Sequence, residues 1–329
     1  MALSTELDKA LNRRDVHKQG HELRRLATMF SKNSLDGMRV AFNNTDTSGY
    51  SDYQVAFGWI DKRPYAELQG LQSRVELGDL AIIALNKVIS PKRPPRDFTG
   101  RCALMQAKLQ EPNISNALTV LFGKIDKSSL NQQYLLSNWG CFDLFPHSVG
   151  GQKIDTFHLN SGPGSYGWFM AAHRDFNHAC KQSAAWLCGA PMDGTSCDYT
   201  IGEVIAAVAS FRPDIDIGAR CVLTPDLHGK SCDWDKLVAT LIQECVCAEL
   251  PAVAQAVAGS GSRMAGILKM MSADTPLDLT VQMAQQPLRS PVETKDGANV
   301  SAEDADGGWD AGEDRMGVLL ITRVVSEPH

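Results

Sequence analysis

The sequence predicts a helix-dominated α+β body, with a β-hairpin near the N-terminus and a detached C-terminal strand beyond a flexible acidic linker. Three observations carry this expectation. Apolar residues recur at helical spacing over much of the chain. Two β-like runs, Met38 to Phe42 and Tyr53 to Ile60, flank the turn-rich segment Asn43 to Gly49. A polar, acidic tract precedes a β-branched run at the end of the chain.

The elements follow in order. Thr5 to Ser31 reads as a basic amphipathic helix. Thr5 and Asp8 stand as a capping pair, and Leu7, Leu11, Leu23, Leu26 and Phe30 form one stripe. Asn33-Ser34 and Asp36-Gly37 end it. The hairpin comes next, with Tyr53, Val55 and Phe57 alternating. Tyr65 to Ile89 returns to a helical pattern, broken near Gly78-Asp79. Ser90-Pro91-Lys92-Arg93-Pro94-Pro95-Arg96 then forces an extended, exposed loop. Arg101 to Gln110, Ser115 to Ile125 and Ser128 to Leu136 read as short helices, and Trp139 to Phe145 as a buried turn. Lys153 to Leu159 alternates as a strand. A helix is expected from Ser165 towards Leu187 and another over Ile201 to Phe211. Ala219 to Leu223 reads as a strand. Trp234 to Glu249 shows a clear helical stripe, and helical patterns continue through 252–285. Gly317 to Val325 is a strand that needs a sheet, because a lone strand is not stable in water.

The domain organisation that follows is an arm over 1–34, a mainly helical body over 35–288 with a sub-boundary at 90–100, and an arm over 289–329 made of the linker and the strand. The chain has 329 residues, 43% apolar and 21% charged, enough for a sizeable core. Its net charge of −6 is unevenly spread. Residues 1–100 carry 15 basic against 12 acidic side chains, and residues 291–329 carry 3 against 9. No run reaches the ~18 apolar residues of a membrane span, and no signal peptide opens the chain. The nine cysteines, an odd number, read as free thiols in a reducing compartment. A cytoplasmic location is expected, or a virion if the protein is viral.

Chemical motifs are sparse. Walker A, Gly-x-Ser-x-Gly, His-Glu-x-x-His and Cys-x-x-Cys patterns are all absent from the sequence. Ser161 to Gly167 reads as a turn, since no lysine follows its glycines. His173, His178, Cys180 and Cys188 lack metal-ligand spacing, as do Cys232, Cys245 and Cys247 near His228. Asp214, Asp216, Asp226 and His228 read as solvated loop residues. The expectation is no catalytic residue, no metal and no cofactor. Arg13, Arg14, Lys18, Arg24 and Arg25, with Lys92, Arg93 and Arg96, are the candidate nucleic-acid contacts, acting on phosphates without sequence preference. Val318, Leu319, Leu320, Ile321, Val324 and Val325 are the candidate subunit contacts, adding a strand to a neighbour's sheet.

The function expected from this pattern is a self-assembling structural protein, a viral coat, capsid or nucleocapsid subunit. Its partners would be other copies of itself and RNA, with no membrane. The alternative is a cytosolic hydrolase or transferase with its site in 141–232, drawing on His158, His173, Asp175, His178, Asp226 and His228. A third reading is an adaptor whose acidic tail binds a basic partner.

Overall fold

The computed structural model describes residues 2–12, 25–26, 29–61, 64–71, 73–89, 97–110, 127–160, 164–173, 186–191, 197–210, 215–224, 228–229, 232–247 and 315–326. The elements are α1 (Leu3–Leu11), α2 (Lys32–Thr45), β1 (Ser51–Asp61), β2 (Tyr65–Leu68), β3 (Val75–Glu76), β4 (Leu80–Ile89), β5 (Phe98–Gln110), α3 (Lys127–Asn138), β6 (Gly140–Phe145), β7 (Asp155–Leu159), β8 (Gly167–His173), β9 (Leu187–Gly189), β10 (Tyr199–Thr200), α4 (Ile201–Ala209), β11 (Ala219–Leu223), α5 (Asp233–Glu244), β12 (Cys245–Cys247) and β13 (Arg315–Ser326).

The fold is a mixed α/β one in which, among the described residues, strand (43%) exceeds helix (32%), so the helix-dominated expectation is overturned. A nine-stranded sheet runs in the order β10-β9-β8-β5-β4-β13-β1-β12, with β11 also on β5. A second sheet has four strands, β3-β2-β6-β7. The errors fall on the buried strands. In β4, Leu80 to Leu85 are all buried, on both faces. A strand covered on both sides has no reason to alternate, and its apolar run imitates a core helix. In β5, Ala103-Leu104-Met105-Gln106-Ala107-Lys108 has helix-favouring composition, yet it lies between β4 and β8. Pairing outweighs propensity there.

The expected hairpin is also corrected. Met38 to Phe42 belongs to α2, capped by the Ser31 side chain, which accepts from the Ser34 N–H. The other half holds: Tyr53 to Ile60 is β1, whose partner is the C-terminal strand. The detached strand is corrected most sharply. β13 is central in the large sheet, antiparallel to β1 from Ser51↔Val325 to Asp61↔Arg315 and parallel to β4 from Gly317↔Leu80 to Ser326↔Ile89. Met316, Val318, Leu320 and Val324 pack on one face, and Leu319 and Ile321 on the other. Arg323 fastens the strand at its far end. Its Nη2 donates to Asp46 Oδ2 at 2.8 Å, and its Nε donates to the same oxygen and to Ser51 Oγ at 3.1 Å.

Each face of the large sheet has its own core. On one face α1, α2 and α4 pack around Met38, Phe42, Ile82, Met105, Val204 and Leu319. The α1 helix begins at Leu3, and Asp8 serves another helix: its Oδ1 accepts from the Gly202 N–H at 2.9 Å. A Cβ on Gly202 would lie 2.6 Å from that oxygen and from the Ser4 carbonyl, so the close approach of α1 and α4 requires glycine. On the other face the four-stranded sheet, α3 and α5 cover Ile83, Leu104, Trp139, Phe157, Tyr166 and Trp234. Among the described residues no helix is long and apolar enough to cross a membrane.

Candidate functional site

Polar side chains are rare inside these cores, and two of them meet. Asp79 and Gln106 are 1% and 2% exposed. Asp79 immediately precedes β4, and its backbone is tied on both sides: its N–H donates to the Met105 carbonyl, and its carbonyl accepts from the Gly317 N–H, each at 2.9 Å. Gly78 makes this approach possible, since a Cβ there would stand 3.2 Å from the Met105 carbonyl oxygen. The register places Leu80 opposite Met105, while β5 continues to Gln110. Beyond Met105, β5 therefore runs past the start of β4. The Asp79 carboxylate occupies the position a further β4 residue would take. Its Oδ2 accepts from the Ala107 N–H at 2.8 Å and from the Gln106 side-chain amide.

Strand alternation completes the arrangement. Gln106 and Lys108 are two apart on β5 and share a face, and Lys108 is half-buried. The Ala107 carbonyl lies on the same edge of β5 as its N–H, towards Asp79. Asp79, Gln106 and Lys108 thus stand together where β1, β5 and β8 end and β4 and β13 begin. Ligands of open α/β sheets sit at such strand ends. The Gln106 amide and the Ala107 N–H, both neutral, donate to Asp79 Oδ2 and so help hold the buried carboxylate. The carboxylate, the Gln106 amide oxygen and the Ala107 carbonyl are hard oxygen donors of the kind Mg²⁺ and Mn²⁺ take. Among the described residues no three His, Cys, Asp or Glu side chains gather as metal ligands. One carboxylate with neutral oxygens still fits a cation that keeps several waters.

Arg13, Arg14, Lys18, Arg24, Lys92, Arg93 and Arg96 fall outside the described residues, and Arg25 is half-buried on a short helical stretch. Val318, Leu319, Leu320, Ile321 and Val324 are buried in the sheet interior, and Val325 is half-buried between Ser51 and Val88. Asp175, His178 and Asp226 fall outside the described residues, as does the side chain of His173, whose backbone pairs with Gln110. His158 is exposed on β7, where its Nε2 lies 3.8 Å from Cys141 Sγ and its N–H donates to Asp233 Oδ2 at 2.7 Å. His228 closes a turn: its N–H donates to Thr224 Oγ1, which donates back to its carbonyl.

Asp79, Gln106 and Lys108 were legible only as polar interruptions of two apolar runs. Read as helices, those runs scatter the three residues; paired as strands, they bring them together. Comparisons with protein families, curated proteins and solved structures return no match for this chain.

Proposed function

We propose that the protein is a metal-assisted hydrolase of phosphodiesters, with nucleic acid as the substrate class. One observation carries the reading: a buried carboxylate tied to Gln106 and Ala107 at the end of the central strands, with Lys108 on the same face. Buried carboxylates at a strand end are groups that active sites use.

Asp79, the Gln106 amide oxygen and the Ala107 carbonyl would hold one hard divalent cation. Bound there, it supplies Lewis-acid polarisation of a phosphoryl oxygen and a water of lowered pKa. A site with a single carboxylate binds such a cation weakly, and substrate phosphate oxygens complete its shell. Lys108, two residues on from Gln106 along the same face of β5, is the cation this reading assigns to the negative charge that grows as the phosphorus is attacked. The attacking water forms the new P–O bond, one ester P–O bond breaks, and the departing oxygen takes a proton. Arg13, Arg14, Lys18, Arg24, Arg25, Lys92, Arg93 and Arg96 enter this reading as further phosphate contacts.

Assembly through the C-terminal strand has lost its motivation, because both edges of β13 are already paired within the chain. The test is hydrolysis of bis-p-nitrophenyl phosphate and of single- and double-stranded DNA and RNA, with Mg²⁺ or Mn²⁺ and with EDTA. Asp79→Asn and Lys108→Ala should each lower kcat by ~10²-fold or more while folding normally. Turnover unchanged in both variants refutes the assignment.

A further inference from the structure

Strands β5 and β11 each place an arginine at the same register position: Arg101 stands directly opposite Arg220. Cross-strand partners point to the same face of a sheet, and like charges directly opposite each other weaken the pairing. The face is the one covered by α1, α2 and α4. Ala103 and Met105, which follow Arg101 at alternate positions, belong to that core. Arg220 is exposed and Arg101 half-buried.

Among the described residues neither guanidinium forms an ion pair. Burial pushes the Arg101 guanidinium down, Asp216 raises it, and Arg220 lowers it further. Asp216 is therefore near enough to act on Arg101 without pairing with it. Arg101 Nη1 donates to the Ile217 carbonyl at 3.4 Å, and its Nε is buried with no hydrogen-bond partner. A buried donor left unpaired calls for an acceptor. The edge left over, Nε with Nη2, is one that a guanidinium presents to an oxyanion in bidentate fashion. An anion seated between the two arginines would relieve their repulsion and supply that acceptor. Two guanidinium forks suit a tetrahedral dianion, whose oxygens serve both, whereas a carboxylate has oxygens for one fork only.

We propose that Arg101 and Arg220 bind a phosphate dianion, supplied as inorganic phosphate or as the phosphate of a small phosphorylated molecule. The place is separate from the Asp79 site. Gln106 lies five residues further along β5, about 17 Å at strand spacing, and the odd offset puts it on the opposite face. The inference therefore stands apart from the proposed hydrolysis.

Isothermal titration calorimetry of the full chain tests it, in mildly alkaline, phosphate-free buffer at constant ionic strength. The probes are inorganic phosphate, phenyl phosphate, acetate and a thymidine oligonucleotide without a terminal phosphate. A phosphate should bind at one site per chain, and acetate should not. Tighter binding of inorganic phosphate names the free ion as ligand; tighter binding of phenyl phosphate names a phosphorylated molecule. Arg101→Lys keeps the charge and loses the fork, and Arg220→Leu loses both. Each should weaken binding at least about tenfold. Arg220→Leu carries a second signature, because it also removes the like-charge contact. Without phosphate it should melt no lower than the wild type, and added phosphate should no longer raise its Tm. Asp79→Asn should bind phosphate as the wild type does. No phosphate binding by the wild type, or equal binding in Arg220→Leu, overturns the inference. Loss in Asp79→Asn alone also overturns it and moves the anion to the Asp79 site. Preference for the oligonucleotide over both phosphates overturns the dianion and gives the two arginines to nucleic acid. Phosphate bound here with no phosphodiester hydrolysed leaves the inference standing and defeats only the proposed activity.

Discussion

Replacing Asp46 by Asn removes the charge that fastens the last strand to the body. Asp46 Oδ2 takes three donors: Arg323 Nη2 at 2.8 Å, Arg323 Nε at 3.1 Å and the Tyr53 hydroxyl at 3.2 Å. The Asp46 side chain is 10% exposed and that of Arg323 28%, so the pair lies between two regimes. Exposed pairs contribute ~0–1 kcal/mol, and breaking a buried pair costs ~3–5 kcal/mol. With screening through the more open Arg323, the expected loss is about 1–2 kcal/mol.

Urea unfolding at pH 7 should show a lower midpoint with an unchanged m-value. A cycle with Arg323→Met should return most of the loss as coupling. The pH dependence gives a second check. Burial pushes the Asp46 carboxyl up, but the Ser48 hydroxyl and N–H, the Arg323 charge and Ser51 outweigh it and hold it well below the usual carboxylate range. Its stabilisation is therefore complete above the unfolded value, ~3.9 for aspartate, and is lost as pH falls towards the folded one. The gap between wild type and Asp46→Asn should narrow below about pH 4. Burial also pushes the Tyr53 phenol up to about 12, so it remains a donor throughout that range. A gap under about 0.3 kcal/mol at pH 7, or one that persists in acid, would refute the argument.

Leu320→Ala, deep in β13, should cost about 2–5 kcal/mol in urea unfolding, whereas a strand standing free of the body would lose almost nothing. Gly202→Ala forces α1 off α4 and should cost about 1–3 kcal/mol, with amide exchange in residues 3–11 accelerated first. Burial pushes the Asp8 carboxyl up against hydrogen bonds from Thr200 and Gly202, with Glu203 raising it further. Because the raised group favours folding when protonated, its contribution declines as pH rises through the carboxylate range. Asp8→Asn should thus remove that decline, and melting temperatures from pH 3 to 7 would read it. Burial pushes the thiols of Cys102, Cys188 and Cys221 well up, so iodoacetamide on the native protein should reach Cys141 long before these three, as peptide mass mapping would show.

Elements with one solvent-facing side were legible from the chain. The α5 stripe Trp234, Leu237, Val238, Leu241 and Ile242 is buried as its spacing requires, and β7 and β11 fall where alternation places them. The strand character of Gly317 to Val325 was legible too, but the expected helix to Glu249 stops at Glu244, and Cys245–Cys247, Val246 included, is β12 on β1. What no local pattern carried was the interior of the large sheet. β4 and β5 are covered on both faces, so period 2 vanishes, and nothing in Leu80 to Leu85 separates strand from helix until partners are known.

The candidate site shares this blindness, since Asp79 and Gln106 become neighbours only through the β4–β5 register. By itself the sequence determined that the last residues form a β-strand needing strand neighbours in some sheet. Tertiary structure alone decided that those neighbours are β1 and β4 of the same chain, because backbone hydrogen bonds define an edge but carry no address. The address comes from side chains that meet only after folding, Arg323 with Asp46 at one end and Met316 above Gly78 at the other.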